Sequence, residues 1–322
     1  MIAKACQRFF AYAWTSVIVG SIFVLNSSRA HEYYLFTSFR GNGEDGLRLA
    51  LSTNGYHWEA LNHDRSFLKP EVGAYKIMRD PCLAEGPDGT FRLVWTSGWT
   101  ADKGKIIGYA QSKDLIVWSE QKAIPLMENE PNTRNIWAPE IFYDKARSRW
   151  LIFWSSTIPG KFPETDRTGD DGYNHRFYYT ITTDFKTFDQ SRLLYDLGFN
   201  SIDATLLQVG RTFYLIFKDE RKQPLKKNLR YATADQPEGP FGKPSEPFTG
   251  DWVEGPSAIQ IKNEYLVYFD HYAQPNYYGA VRSKDLQHWE DCSKEMSIPQ
   301  GHRHGTVLRI PKTIAQRLLA VQ

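Results

Sequence analysis

Four segments of the chain begin a strand-like run with a carboxylic acid, a residue type that can perform acid–base chemistry. They are Arg79-Asp80-Pro81, Trp137-Ala138-Pro139-Glu140, Ser201-Ile202-Asp203-Ala204 and Val253-Glu254-Gly255-Pro256. If the fold gathers them, repulsion between like charges raises the pKa of some carboxyls, which separates a protonated acid from an ionised base. A single acid at a strand start more often caps a turn or pairs with a lysine. Four such acids, one per repeat, favour a shared site.

The elements that must position these acids belong to a repeat that follows residue 31. Each copy has an aromatic-rich alternating strand, a second strand with small and β-branched residues, and a charged turn followed by Trp or Phe. The copies span residues 33–58, 91–118, 150–188, 212–241 and 264–289. Units repeated at intervals of about 40–60 residues are typical of propeller blades, whereas a two-sheet sandwich would not repeat such a composite pattern. The sequence therefore predicts an all-β fold, a five-bladed β-propeller.

The two ends of the repeat region are predicted to share one blade. The first copy starts abruptly at Glu32-Tyr33-Tyr34, without a leading strand, and residues 304–310 supply a strand at the other end. N- and C-terminal strands that share a blade close the ring and remove an open sheet edge. Residues 31–322 are predicted to form a single domain, with helical periodicity only over residues 313–321.

Residues 1–30 have the pattern of a signal peptide. Lys4 and Arg8 precede an apolar run over residues 11–25, and Ser28-Arg29-Ala30 places small residues at the positions that a signal peptidase reads. The run is short for a membrane span, and an uncleaved N-terminal anchor is the alternative interpretation. The pattern predicts a secreted or periplasmic protein that has no membrane contact after signal cleavage.

Charge and cysteine content narrow the possible partners. The chain has 39 Lys+Arg against 37 Asp+Glu and no basic run, which argues against nucleic acid or an anionic membrane surface as the partner. The partner is therefore predicted to be uncharged. Without residues 1–30, the cysteines are Cys82 and Cys292, which lack metal-ligand spacing and are too few for a disulfide framework. One disulfide between them stays open.

The ordered set of motifs resembles glycoside hydrolase family 43. An Asp-Pro strand start, a Trp-Ala-Pro-acid strand, an Ile-Asp strand, a Glu-Gly-Pro strand and a His-Gly strand follow one another from Asp80 to Ile310. The resemblance implies a carbohydrate substrate and hydrolysis with inversion, most simply of α-L-arabinofuranosides or β-D-xylosides in plant-type polysaccharides. Both exo and endo action stay open.

Three other functions are compatible with a propeller of this kind. A related galactosidase or fructosidase is one, although residues 31–61 lack the Asn-Asp-Pro triplet of the fructosidases. A propeller that binds glycans without cleaving them is another. The presence of Asp80, Asp203 and Glu254 together argues against it. A protein-interaction propeller would instead show a repeated signature on its outer turns.

The resemblance assigns roles to three acids. Asp80 matches the general base, Glu254 the general acid, and Asp203 the carboxylate that raises the pKa of Glu254 and orients the substrate. In inversion, Asp80 would deprotonate a water while Glu254 protonates the leaving oxygen, with the two carboxyls about 6.5–9.5 Å apart. Glu254 must then be protonated at the working pH.

Four further residues are predicted to bind substrate. Trp137 and Trp99 offer apolar ring faces on which a sugar can stack. Glu140 stands where the family usually has Asp, and it is predicted to line the channel or support the catalytic acids. Arg282 could reach a sugar hydroxyl or a carboxylate, or it could pair with Asp285 in its own turn.

A calcium ion in the central channel is the one cofactor that the resemblance implies, and the chemistry does not require it. His304 matches a channel histidine that helps to hold this ion, mostly through water, in many family members. No Cys or His partner stands at zinc spacing from His302 or His304. Oxygen-rich surroundings would suit a hard cation such as calcium. The irregular stretch over residues 158–175 is predicted to wall the pocket.

Overall fold

Alternating runs rich in aromatic and β-branched residues form nineteen strands in the part of the chain that the computed structural model describes, residues 32–100 and 105–321. These residues belong to one compact unit, Glu32–Gln322. The predicted signal peptide lies outside the described residues. Among the described residues, no helix has the length and apolar character needed to cross a membrane.

The strands follow the repeat along the chain. They are β1 (Tyr33–Ser38), β2 (Arg48–Ser52), β3 (Glu59–Ala60), β4 (Arg79–Glu85), β5 (Phe91–Thr96), β6 (Ile106–Ser112), β7 (Lys122–Pro125), β8 (Trp137–Asp144), β9 (Arg149–Ser156), β10 (Arg176–Thr182), β11 (Arg192–Tyr195), β12 (Ser201–Val209), β13 (Thr212–Asp219), β14 (Asn228–Ala234), β15 (Val253–Ile261), β16 (Glu264–His271), β17 (Tyr277–Ser283), β18 (Glu290–Asp291) and β19 (Val307–Ile310). Helical turns are short: 3-10 helices cover Asn62–Asp64, Pro163–Thr165, Asp170–Gly172 and Ser293–Glu295, and the α-helix α1 covers Lys312–Leu319.

Antiparallel pairing groups these strands into five sheets. Blade 1 contains β4 to β7, blade 2 β8 to β11, blade 3 β12 to β14 and blade 4 β15 to β18. The closing blade has the order β19-β1-β2-β3, with Phe36 opposite Val307 and Tyr33 opposite Ile310. The prediction of an all-β, five-bladed propeller whose terminal strands share one blade is confirmed.

In four of the five blades a polar turn joins the third strand to the outer strand. In this turn one side-chain oxygen accepts hydrogen bonds from the backbone N–H groups two and three residues later, a role taken by Asn54, Asp114, Asp184 and Asp285. Such Asx turns satisfy backbone donors that would otherwise point into solvent or the core. The polar residue that recurs in this turn is therefore explained by its structural role, the stabilisation of the turn.

Blade 3 has three strands where the other blades have four. The segment after β14 runs beside it, and Gly242 and Ser245 donate backbone hydrogen bonds to Thr233 and Tyr231. Prolines at 237, 240, 244 and 247 prevent a continuous ladder, since proline has no N–H to donate. The segment still covers the edge of the blade.

Apolar side chains fill the spaces between adjacent blades. Val94 and Ile107 of blade 1, for example, belong to the same buried cluster as Ile152 and Trp154 of blade 2. Cys82 lies in that cluster and Cys292 in another, and both thiols are free and buried. The disulfide that the sequence left open is therefore not formed.

Candidate active site

A β-bulge interrupts the innermost strand of each of blades 1 to 4 near its start. The pairing register shifts there in β4, β8, β12 and β15. In each bulge one residue has a left-handed backbone, with φ of 50° at Asp80, 47° at Ala138, 52° at Asp203 and 59° at Gly255. Bulges re-aim side chains, and strained backbone of this kind is common at active sites.

The bulges correct the expectation that the four acids occupy equivalent positions. Asp80 and Asp203 are themselves the left-handed residues of their bulges. Glu254 comes one residue before the corresponding glycine, and Glu140 comes two residues after the corresponding alanine. Each residue of offset moves a side chain about 3.3 Å along the strand, and a bulge interrupts the alternation of faces, so such offsets send the carboxyls to different places.

Three of the four acids meet in one small cavity, which we call the acid pocket. Its volume is about 160 Å³. Asp80, Asp203 and Glu254 line it, together with Arg79, Thr96, Trp99, Trp137, Ile202, Lys218, Glu220 and His304. The predicted catalytic acids, the two predicted aromatic residues and the predicted channel histidine are therefore brought together.

Asp80 is held as a carboxylate by two partners. The hydroxyl of Thr96 donates a 2.7 Å hydrogen bond to Oδ2, and Nδ1 of His304 lies 3.2 Å from Oδ1. Burial alone would raise the pKa of Asp80, but the charge and hydrogen bond of His304 lower it to about 2. Burial alone would lower the pKa of His304, and the ion pair with Asp80 instead raises it to about 9. The pair is ionised at neutral pH.

Two cations hold Glu254. Nζ of Lys218 lies 3.0 Å from Oε2, and Nη2 of Arg303 lies 3.1 Å from Oε1. Arg303 also donates from Nε to Asp270 at 2.8 Å. Burial would raise the pKa of Glu254, but Lys218 and Arg303 outweigh it and the pKa is lowered. Glu254 is therefore ionised at neutral pH.

Asp203 has no cation in direct contact among the described residues. Its Oδ2 accepts a 3.1 Å hydrogen bond from the backbone N–H of Gly255, and its own N–H donates to Ser155 at 3.2 Å. Burial raises the pKa of Asp203, His304 opposes the rise and Glu254 adds to it. The pKa of Glu254 is thus lowered and that of Asp203 raised, opposite to the directions that the sequence predicted, because Lys218 and Arg303 stabilise the charge on Glu254.

The two tryptophans form one wall of the acid pocket. Nε1 of Trp137 donates to the backbone oxygen of Trp99 at 3.0 Å. The Trp99 ring is 37% exposed, and the guanidinium of Arg79 stacks over it at 4.4 Å from the ring centroid. The Trp137 ring packs against Tyr173 and His175, with centroids 4.7 and 5.3 Å away. The stretch over residues 158–175, which was predicted to wall the pocket, thus packs behind Trp137 and does not itself line the acid pocket.

Glu140 does not line the acid pocket, which corrects its prediction as a substrate-binding residue. Its side chain is buried and Oε2 accepts a 3.0 Å hydrogen bond from the hydroxyl of Thr205 in the next blade. Burial raises its pKa to about 7. The bulge in β8 places Glu140 past the pocket, where it joins two blades.

Arg282 is also remote from the acid pocket, and its prediction as a substrate-binding residue is wrong. It lies in β17, where its guanidinium binds Glu290 at 3.1 Å and Glu295 at 2.8 Å. Its partners are thus two acids of its own blade that the sequence reading did not name, instead of Asp285.

The described residues do not fit a metal ion that side chains bind directly. Within residues 32–100 and 105–321, no group of three or more His, Cys, Asp or Glu side chains could hold one. Calcium in the channel stays a prediction, and no step below uses it.

Lys218, Asp270 and Arg303 are site residues that the sequence reading missed. Lys218 and Asp270 lie in the second strands of blades 3 and 4, opposite Ile202 and Glu254. The signal was present as an aromatic residue followed by a polar one at the equivalent position of every second strand: Phe36-Thr37, Trp95-Thr96, Trp154-Ser155, Phe217-Lys218 and Phe269-Asp270. Aligning the second strands as well as the first would have revealed Lys218 and Asp270, whereas Arg303 lies outside these strands, before β19.

Comparison with known proteins agrees with this arrangement. A family model described as a probable glycosyl hydrolase domain, of the type related to glycoside hydrolase family 43, matches residues 30–315. An α-L-arabinofuranosidase from Bifidobacterium longum is 28% identical over 208 residues, which are 61% of this chain and 18% of that enzyme. The chain thus spans about a fifth of the length of that curated relative.

Solved structures share the fold at low sequence identity. An α-L-arabinofuranosidase from Lactobacillus brevis superposes with a TM-score of 0.53 and 16% identity, covering 67% of this chain and 72% of that one. An exo-β-1,3-galactanase from Phanerochaete chrysosporium gives 0.52 and 13%, covering 70% and 53%. These likenesses show the fold alone.

A five-bladed propeller with three carboxyl groups around one pocket defines the class as propeller glycosyl hydrolases. With the family model matched over nearly the whole described chain, this protein belongs to the glycosyl hydrolase family related to glycoside hydrolase family 43. The family resemblance predicted from the motifs is confirmed.

Proposed function

We propose that the chain is an inverting glycoside hydrolase that removes a terminal pentose, an α-L-arabinofuranosyl or β-D-xylosyl group, from plant-type polysaccharides or oligosaccharides. The observation that carries the proposal is the acid pocket, where Asp80, Asp203 and Glu254 converge on a volume of about 160 Å³. A cavity this small lies below the range of pockets for drug-sized ligands and suits a single sugar ring. This favours exo action.

Asp80 is suited to be the base. A base must be ionised before it accepts a proton, and the pKa of about 2 that His304 imposes keeps Asp80 ionised across the neutral range. The hydrogen bonds from Thr96 and His304 also fix the direction of its carboxyl. In the proposed step a water attacks the anomeric carbon and loses a proton to Asp80.

Asp203 and Glu254 supply the acid. Mutual repulsion disfavours a state in which both are ionised, so the pair retains a proton more readily than two isolated carboxyls would. As the glycosidic bond breaks, its electron pair goes to the leaving oxygen, which takes that proton. For Glu254 to be the donor that the family resemblance implies, the proton that Asp203 holds must pass to Glu254 before the glycosidic bond breaks. One proton enters at Asp80 and one leaves the pair, so the step is balanced.

The aromatic wall and the relatives support a furanose or pyranose sugar. The faces of Trp99 and Trp137 offer apolar surface next to the acids. The similar Bifidobacterium enzyme is an α-L-arabinofuranosidase, which makes an arabinofuranoside the first substrate to test. The signal-like residues 1–30 suit an enzyme exported to the periplasm or the exterior, where polymeric substrates are found.

The test is release of 4-nitrophenol from the α-L-arabinofuranoside, β-D-xyloside and galactoside aryl glycosides. Wild type, Asp80→Asn and Glu254→Gln are compared, and NMR follows the anomeric configuration of the first-formed sugar. We expect one glycoside to be cleaved with inversion and both variants to lose activity by about 10²–10⁴-fold. A retained configuration, or no turnover by folded protein on these and on arabinan, xylan and galactan oligosaccharides, would overturn the proposal.

A further inference from the structure

A second and larger cavity is linked to Glu254 of the acid pocket through Arg303. Its volume is about 1000 Å³. We call it the Tyr277 groove, and its lining includes Asp270, Tyr277, Met296, Ile298, Gln300 and Arg303. It runs between blade 4 and the segment that leads into the closing blade. Neither the family match nor the relatives assign a role to these residues in this chain.

One guanidinium connects the groove to the acid pocket. Arg303 lines the groove, and the same side chain donates to Asp270 at 2.8 Å and to Glu254 at 3.1 Å. Asp270, also in the groove lining, faces Glu254 across the pairing of β15 with β16. A ligand in the groove would therefore be separated from Glu254 by a single side chain, that of Arg303.

The lining of the groove has the chemistry of a saccharide site. Tyr277 is 39% exposed and its ring is held by stacking on His271, with centroids 4.4 Å apart and planes 11° apart. Met296 and Ile298 add apolar surface, and the side-chain amide of Gln300 can hydrogen-bond hydroxyl groups. Sugars present apolar faces and polar edges, so they need this combination.

The charges of the groove favour a neutral ligand. Asp270 is paired with Arg303, while Asp291 and Lys294 contribute one further charge of each sign. An anionic chain would meet Asp270 and Asp291 without a surplus of cations. A neutral oligosaccharide meets no such repulsion.

We propose that the Tyr277 groove binds the leaving part of the substrate, a neutral oligo- or polysaccharide chain. This rests on the proposed function: the acid pocket holds one sugar ring, and the acid must contact the oxygen that joins this ring to the rest of the substrate. The chain beyond that oxygen therefore continues from the side of Glu254, where the groove lies. A volume of about 1000 Å³ is at the upper end for ligand pockets, which gives room for several sugar rings.

The experiment compares two substrates that share the same terminal sugar, an aryl glycoside and an oligosaccharide of four or more residues. For Tyr277→Ala we expect kcat/KM on the oligosaccharide to fall about tenfold, whereas the value on the aryl glycoside stays within about twofold. Tyr277→Phe keeps the ring and should retain activity on both. Leu193→Ala, at a 43% exposed apolar residue in the outer strand of blade 2, is the control for loss of surface apolar area.

Two kinetic outcomes would overturn the groove proposal while the proposed function stands. One is an unchanged kcat/KM on both substrates, and the other is an equal fall on both, which would place Tyr277 in the folding or shape of the acid pocket. If wild type cleaves no glycoside, the proposed function fails. Calorimetric titration with arabino-, xylo- and galacto-oligosaccharides then tests whether the groove binds saccharides. Binding that Tyr277→Ala abolishes would support it as a saccharide site, and equal binding or none would overturn it.

Discussion

Lys218 places its ammonium nitrogen 3.0 Å from Oε2 of Glu254, across the boundary between blades 3 and 4. Lys218 is itself buried, and Glu220 lies 2.7 Å away on its other side. A buried cation in contact with a carboxyl strongly favours the ionised form of that carboxyl. The acid that the family resemblance makes the proton donor is therefore held as an anion until substrate arrives.

Replacing Lys218 by methionine is expected to raise the pKa of Glu254, since it removes the larger of the two attractions that lower it. If Glu254 donates the proton, it will then stay protonated to higher pH. The alkaline side of the pH profile of kcat/KM should therefore move to higher pH, even if the maximal rate falls. The measurement is kcat/KM on an aryl glycoside from about pH 4 to pH 10, the range in which these groups titrate.

The matched control for Lys218 is Lys222→Met. Lys222 is 58% exposed and binds Asp170 at 2.9 Å, without lining the acid pocket. Its removal should leave both sides of the profile in place. A Lys218→Met profile that coincides with wild type would show that the ionisation of Glu254 does not govern the alkaline side.

The proton donor can be identified by comparing the activity of variants on glycosides with good and poor leaving groups. A dinitrophenolate leaves without protonation, whereas a sugar or simple alkyl oxygen does not, so loss of the donor matters only for the poor leaving group. We expect Glu254→Gln to lose about 10²–10⁴-fold on an alkyl glycoside and far less on the dinitrophenyl glycoside. Asp203→Asn should impair both substrates. The reverse pattern would make Asp203 the donor, in line with its raised pKa.

The ring of blades and its closure could be predicted from the sequence because both depend on local, repeated patterns. Each blade carries its own alternating strands, and four of the five carry an Asx turn, so the repeat identifies the blade without long-range information. The closing strand was visible as a missing element at one end and a surplus strand, residues 307–310, at the other. Asp80, Asp203 and Glu254 were likewise found from motifs at strand starts.

The protonation of the site could not be predicted, because it depends on contacts between blades. Lys218 and Arg303 are separated from Glu254 by 36 and 49 residues in sequence, and neither forms a motif with it. Glu140 was misplaced for another reason. A bulge changes the alternation of side chains locally, so a motif that resembles its neighbours in sequence directs its acid elsewhere.

Glu140 and Arg282 are expected to be dispensable for the chemical step. Glutamine at position 140 can still accept the hydrogen bond from Thr205, and the pKa of about 7 means that Glu140 is largely protonated below neutral pH. Arg282→Gln removes ion pairs with Glu290 and Glu295, which are both more than half exposed. Each variant should keep kcat/KM within about threefold of wild type, because exposed pairs contribute little. A fall in kcat/KM as large as that of Glu254→Gln would show that the residue takes part in the chemical step.

His304→Gln is expected to raise the pKa of Asp80, because the variant removes the charge that holds this pKa at about 2. The acidic side of the kcat/KM profile should then move to higher pH. His288→Gln is the matched control, because His288 is 87% exposed and pairs with Asp285 in a turn outside the acid pocket. An acidic side that stays in place would show that Asp80 is not the group that must be ionised.

The same ion pair makes the stability of the protein depend on pH in a defined direction. The pKa of His304 is raised from an ordinary 6.5 to about 9, so its contribution is complete below about pH 6.5 and is lost as the pH rises through about 9. Over this interval the free energy of unfolding of wild type should fall relative to His304→Gln by an amount on the order of 3 kcal/mol. Urea unfolding of both proteins at about pH 6 and about pH 9.5 measures this difference. His304 also lowers the pKa of Asp203 and of Glu140, so in His304→Gln these carboxyls titrate at higher pH and offset part of the difference. A difference that stays constant with pH would contradict a charged His304 in the folded state, and with it the assignment of Asp80 as a base held by an imidazolium.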